Sequence, residues 1–143
     1  MRGVSKQPVA YVCESDRDLP TEEQTVFHLT PKNNQMANES IRRYARAASE
    51  GRGGAREYDD RLLSVADIEE FQAVCLKVEN YCFSEEYRSS HPNLPCDENG
   101  FVAEIEEPNL KADIVRDIPS QALQEIFDVV NNPVKLGRGG KKS

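Results

Sequence analysis

Residues 11–31 read YVCESDRDLPTEEQTVFHLTP, two short alternating runs on either side of an acidic loop punctuated by Pro20. The first run begins slightly upstream. Residues 8–14 place Val9, Tyr11 and Cys13 on one side, the period-two pattern of a half-buried strand. Residues 24–30 put Val26 and His28 on one face and Thr25, Phe27 and Leu29 on the other, with the β-branched and aromatic side chains that suit a strand. The intervening ESDRDLPTEE is too long for a two-residue turn and fits an irregular hairpin loop. Pro31 then stops the second strand. The expectation is an N-terminal antiparallel β-hairpin that needs apolar helix faces to cover it.

Those helices are sought downstream. Residues 35–50 are helix-compatible, with a thin apolar stripe of Met36, Ile41, Tyr44, Ala45 and Ala48 among arginines. The run GRGGARE (51–57) ends it, because glycine lowers the cost of leaving the helix. A mobile linker is expected over 51–63. Ser64 reads as an N-cap with Asp67 three residues on, opening a helix whose apolar face is Val65, Ile68, Phe71, Cys75, Val78 and Cys82. SEEYRSSHPNLPCDENGF (84–101) reads as a loop ending in an Asn99-Gly100 turn, followed by a short strand over 101–105 that Pro108 terminates. A last helix opens at Pro119 and runs to about residue 132. Ile118, Ala122, Ile126 and Val130 form one ridge of it, and Leu123 and Phe127 the adjacent one. The fold class is therefore α+β, a hairpin packed with about three amphipathic helices. The organisation is a disordered 1–7, one small domain over 8–132, and a disordered, basic, glycine-rich tail over 133–143.

Size and charge limit the function. A chain of 143 residues supports one domain with a modest core. Its net charge of −7 opposes non-specific binding to nucleic acid or to an anionic membrane. The acidity is concentrated late: nine carboxylates between Asp97 and Asp128 face only Lys111 and Arg116, whereas the tail carries Lys135, Arg138, Lys141 and Lys142. No apolar run approaches membrane-spanning length and no signal-peptide pattern opens the chain, so a cytosolic protein with reduced thiols is expected.

Chemistry-bearing residues are few. Cys75, Cys82, His91 and Cys96 fall within one region and invite a zinc reading. The two cysteines, seven residues apart on one expected helix, would lie about 10 Å apart along its axis and lack the close pairing of zinc ligands. His28 in a strand and His91 beside Pro92 offer no preorganised partner for a nucleophile, and GRGGARE lacks the strand, lysine and hydroxyl of a phosphate loop. The GRGG segments lack the aromatic interleaving of RNA-binding tails. The expectation is a non-enzymatic protein with no catalytic residue, metal or cofactor.

Taken in order, ESDRDLPTEEQTVFHLTP, a central helix, VENYCF, DENGFVAEI and IVRDIPSQALQEIFDVVNN resemble the tail assembly chaperones of long-tailed, siphovirus-like bacteriophages, over residues 9–132. Leu19-Pro20 with Glu22 to Phe27, and Ile118-Pro119 opening an amphipathic helix, carry the resemblance best. It implies a protein of the host bacterial cytoplasm that binds the hydrophobic tape measure protein, helps the major tail protein polymerise around it, and is absent from the mature virion. It also implies a ribosomal frameshift near the end of the reading frame, for which the codons of Gly139-Gly140-Lys141 permit a slippery heptamer. Leu123 and Phe127, the more outward ridge of the last helix, are the expected partner-binding residues, with Ile126 and Val130 nearer the core. The alternative is a phage structural adaptor, a neck or tail-completion subunit retained in the virion.

Overall fold

A computed structural model describes residues 8–50 and 60–132. In chain order these form β1 (Val9–Tyr11), β2 (Val26–Leu29), α1 (Asn34–Glu50), α2 (Asp60–Val74), β3 (Cys75–Cys82), α3 (Glu85–Ser90), β4 (Phe101–Ile105), α4 (Pro108–Asp117) and α5 (Ser120–Asn131), with single 3-10 turns at Glu14–Asp16 and Thr21–Glu23. The α+β class holds. The expected segments 1–7, 51–59 and 133–143 lie outside the described residues, while 60–63, expected as linker, belong to α2.

The strands pair in the order β1-β2-β3-β4, each antiparallel to the next. The N-terminal pair is therefore half of a four-stranded meander and not a free-standing hairpin. Its inner face carries Tyr11, Phe27, Leu29, Val78 and Ile105, packed with Phe71 and Val74 of α2, Ile114 of α4, and Ile126, Val129 and Val130 of α5. Burying these side chains contributes about 1.5–3 kcal/mol apiece. The outer face is a polar ladder: His28 bonds Glu79 at 3.0 Å, and Lys77 reaches Glu79 at 3.6 Å and Glu104 at 3.2 Å.

The largest departure from expectation is β3. The single helix expected from Val65 through Cys82 ends at Val74, and the remainder is a strand. Its buried positions, Cys75, Val78 and Tyr81, are spaced by three, which imitates a helical stripe. Two dislocations cause this. Leu29 pairs with Cys75 while His28 pairs with Lys77, so Leu76 is the extra residue of a bulge and is 48% exposed. Asn80 then sits at φ 59, a left-handed conformation that asparagine tolerates better than most residues, and it resets the alternation a second time. The register slip at Leu76 and the left-handed turn at Asn80, past which β3 and β4 stay in register, are each followed by a buried apolar side chain.

Helix starts explain the other differences. α2 begins at Asp60, which places Ser64 in its second turn and not at its cap. Asn33 caps α1, its Oδ1 accepting the Met36 amide at 2.8 Å. α3 lies inside the segment expected to be a loop: the Ser84 hydroxyl accepts the Tyr87 amide at 3.1 Å, and Glu85 and Glu86 fill the positive first turn. Pro108 ends β4 as expected and also opens the unexpected α4 from its first turn. Ile118, extended because Pro119 follows it, separates α4 from α5. At Gly100, φ is 96 and an added Cβ would lie 2.7 Å from the Phe83 carbonyl oxygen, so the expected Asn99-Gly100 turn is present and requires glycine.

Candidate functional site

The amphipathic last helix carries apolar side chains on both its buried and its half-buried face. On α5, Ile126, Val129 and Val130 are buried in the core, whereas Leu123 and Phe127 are half-buried. The expected division of the helix into an inner and an outer ridge is what the fold contains. Leu123 and Phe127 line an open groove of about 720 Å³ between α5 and α1, completed by Ala37, Ile41 and Tyr44. Phe127 also borders a second groove of about 950 Å³ on the opposite flank, where Glu14, Glu125 and Asp128 stand around Pro119 and Ala122. α5 thus runs between two grooves that share Phe127, the one toward α1 lined by both apolar and polar side chains and the one toward the N-terminal loop bordered by carboxylates.

Each wall is fixed by buried polar chemistry. On the α1 side, Glu70 of α2 is only 3% exposed. It accepts Lys32 Nζ at 2.7 Å, Arg43 Nη1 at 3.0 Å and the Ser40 hydroxyl. The Tyr44 hydroxyl donates to Asp67, also on α2. These bonds turn Met36, Ser40, Arg43 and Ala47 inward. Ile41, expected in the inner stripe, is consequently 67% exposed on the groove. Periodicity misses this exposure, because the inward face of α1 is largely polar by residue type.

On the other wall, the Tyr11 hydroxyl donates to Glu125 Oε2, the Glu14 amide donates to the same oxygen at 3.0 Å, and Arg17 lies 4.0 Å from it. Burial, and then the Glu125 carboxylate, hold the Tyr11 phenol well above its ordinary pKa. The acidic loop is ordered by its own bonds: Asp16 accepts the Thr25 amide at 3.0 Å, and Gln24 donates to the Leu19 carbonyl at 3.0 Å. Asn80, freed by its left-handed turn, donates to the carbonyls of Glu22 at 2.8 Å and Gln24 at 3.2 Å. The irregularity in β3 therefore clamps this loop.

The remaining chemistry-bearing residues do not converge. Cys75 and Cys82 stand at opposite ends of an extended strand, about 23 Å apart at ~3.3 Å per residue, and not one turn-pair apart on a helix. Cys75 is buried, its thiol donating to the Lys77 carbonyl at 3.4 Å and pushed up to about 12 by burial. Cys82 is exposed and donates to the Asn99 carbonyl at 3.5 Å. Among the described residues no group of three or more His, Cys, Asp or Glu side chains is placed to hold a metal ion. His91 stacks on Tyr87 at 4.0 Å between centroids. His28 serves the sheet ladder, where its hydrogen bond holds the Glu79 carboxyl below the usual range.

Lys111, expected to offset the acidic block, is buried in α4, and its Nζ donates to the Cys75 carbonyl at the bulge at 3.0 Å. Of the two cations expected in that region, Arg116 alone is exposed, and it pairs with Asp113 at 3.5 Å. The surface there is more acidic than the sequence balance suggests. No described helix is long and apolar enough to cross a membrane. Searches against family models, curated proteins and solved structures find no match to this chain.

Proposed function

We propose that this chain is a phage tail assembly chaperone, a non-enzymatic protein of the infected bacterial cytoplasm that binds tape measure protein and aids tail tube assembly. The observation that carries the reading is the α5 trough, which presents Leu123, Phe127 and Ile41 to solvent on a rigid frame. An open groove with apolar side chains at its surface, on an acidic protein, suits a holder of hydrophobic segments: the groove covers the client while self-repulsion keeps the complexes apart. The major tail protein is the second partner in this reading, reached directly or through a frameshift-extended form.

Co-expression with a tape measure protein of the same genome tests it. Leu123→Glu abolishes co-purification while the circular dichroism spectrum stays native. Ile41→Glu, at a position exposed enough to change stability by less than about 0.5 kcal/mol, weakens it as well. Retention of the client by both folded variants refutes the reading. Mass spectrometry of purified virions separates the adaptor alternative, since a chaperone is absent or trace and an adaptor appears in fixed copy number.

A further inference from the structure

Asn99-Gly100 is the one Asn-Gly pair in the chain, and its turn brings together the groups of a reaction of the chain with itself. The Asn99 side chain is exposed, and among the described residues none bonds it. Asparagines that serve the fold differ: Asn33 caps α1 with its Oδ1, and the Asn80 amide is held by two carbonyls. The Gly100 nitrogen follows Asn99 in the main chain, and no Gly100 side chain crowds its approach to the Asn99 side-chain carbon.

The folded turn opposes that approach. The Gly100 amide donates to the Asp97 carbonyl at 3.0 Å, and Asp97 Oδ1 accepts the amides of Asn99 and Phe101, both at 2.9 Å. Gly100 itself is buried. To attack, its nitrogen must shed a proton and leave this bond, so the reaction waits for the turn to open.

We propose that Asn99 is a site of spontaneous covalent modification whose rate Asp97 restrains. The Gly100 nitrogen bonds to the Asn99 side-chain carbon, the bond from that carbon to Nδ2 breaks, and the Gly100 proton leaves with Nδ2 as ammonia. Water then opens the five-membered imide at either carbonyl. One opening leaves aspartate at position 99; the other leaves isoaspartate, with the main chain routed through the former side chain and one methylene longer. Isoaspartate is the disruptive product. It turns the Asn99 main-chain carbonyl, acceptor of the Cys82 thiol at 3.5 Å, into a carboxylate beside Asp97 and Glu98. It also shifts Gly100, whose carbonyl accepts the Phe83 amide at 2.9 Å. Arg88 of α3 is anchored here as well, on the Phe83 and Glu98 carbonyls at 3.2 and 3.3 Å, so α3 loosens with the turn.

The test incubates the full chain at mildly alkaline pH and reads its peptides by mass spectrometry with separation of the aspartate and isoaspartate isomers. Asn99 converts at roughly ten times the rate of Asn93 or more, an exposed asparagine of the same segment that Leu94 follows. Both isomers form, and hydrogen exchange at the Phe83 amide rises in the isoaspartate fraction. Asp97→Ala accelerates conversion about fivefold, the factor that one net hydrogen bond of ordinary strength supplies, and Asp97→Asn, which keeps an Oδ1 acceptor, stays near the parent rate. Asn99→Gln, which would have to close a less favourable six-membered ring, abolishes the modification and keeps the native circular dichroism spectrum. Conversion of Asn99 no faster than Asn93 overturns the site. Aspartate without isoaspartate overturns the imide route, since direct hydrolysis of the side-chain amide yields aspartate alone. Equal rates for the parent and a folded Asp97→Ala protein overturn the restraint, as does an unchanged rate when urea unfolds the parent.

Discussion

Glu70→Gln offers a direct test of how α1 is held in place. The carboxylate is nearly dry, with 4% of its side chain exposed, and so is its partner Lys32 at 6%. The amide keeps the volume, so no cavity opens. Its single carbonyl oxygen can serve Lys32 and Ser40, which leaves the amide nitrogen facing Arg43. Arg43 has a fallback in Glu69 at 3.3 Å; Lys32 keeps only neutral acceptors for a buried ammonium. Breaking a buried ion pair costs about 3–5 kcal/mol, and the surviving hydrogen bonds and the Glu69 fallback reduce this to about 2–4 kcal/mol. Against a total stability of about 5–15 kcal/mol, that is a large share. With a urea m-value of about 2 kcal/mol/M, the midpoint falls by roughly 1–2 M. The double variant Lys32→Met/Glu70→Leu, which leaves no buried charge unpaired, should be more stable than either single substitution. A Glu70→Gln protein within about 1 kcal/mol of the parent, or a double variant whose loss equals the sum of the singles, refutes the argument.

Cysteine reactivity tests the placement of β3. Burial pushes both the Cys13 and Cys75 thiols up to about 12, so brief iodoacetamide treatment of the native protein should modify Cys82 and Cys96 and spare Cys13 and Cys75 until denaturant is added, as read by peptide mass spectrometry. Equal protection of Cys75 and Cys82 would instead favour one continuous helix. Alkaline titration tests the buried phenols. Burial, reinforced by neighbouring carboxylates, raises Tyr11, Tyr44 and Tyr81 above the ordinary phenol value of about 10. The sign follows: a raised folded value keeps stability fully present below the unfolded value, and stability is lost as pH rises beyond it. Each such phenol removes up to about 1.4 kcal/mol per pH unit. Urea midpoints should therefore hold at neutral pH, begin to fall as the unfolded thiols ionise near 9.0, and drop steeply above about 10. Tyrosinate absorbance should appear together with unfolding. Ionisation of all tyrosines near pH 10 with the fold intact contradicts the assignment.

The parts of the fold legible in the sequence are those where one periodicity runs uninterrupted. Phe27 and Leu29 alternate cleanly in β2, β4 lies at its expected 101–105, and the ridges of α5 fall at regular helical spacing, so Leu123 and Phe127 could be singled out before any coordinates. β3 was illegible for a physical reason: a bulge at Leu76 and a left-handed Asn80 each move the alternation by one residue, and the sum resembles a helix. α4 was hidden because proline is both a strand stop and a first-turn helix residue. Half of the trough was hidden as well. The rotation of α1 is set by Ser40 and Arg43 reaching Glu70, so the apolar Ile41 lies outside and polar residues lie inside, a reversal that hydrophobic patterning cannot register. The burial of Lys111 follows from a carbonyl at the bulge, which exists only once the strands have paired.

The bond from Tyr11 to Glu125 joins residues 114 apart in sequence, the first strand to the last helix. During synthesis β1 and β2 can pair locally, but His28 meets Glu79 of β3 only 51 residues later, and Tyr11 meets Glu125 only once α5 has been made. A ribosome-bound fragment lacking α5 has neither its anchor for Tyr11 nor Leu123 and Phe127 against α1. The trough therefore comes into being only when the domain is nearly finished, and a nascent or C-terminally clipped chain has no apolar groove of this kind to offer. Completion of the polypeptide through α5 is in this way a precondition for the groove itself, and the Tyr11–Glu125 bond ties the first strand to the element that completes it.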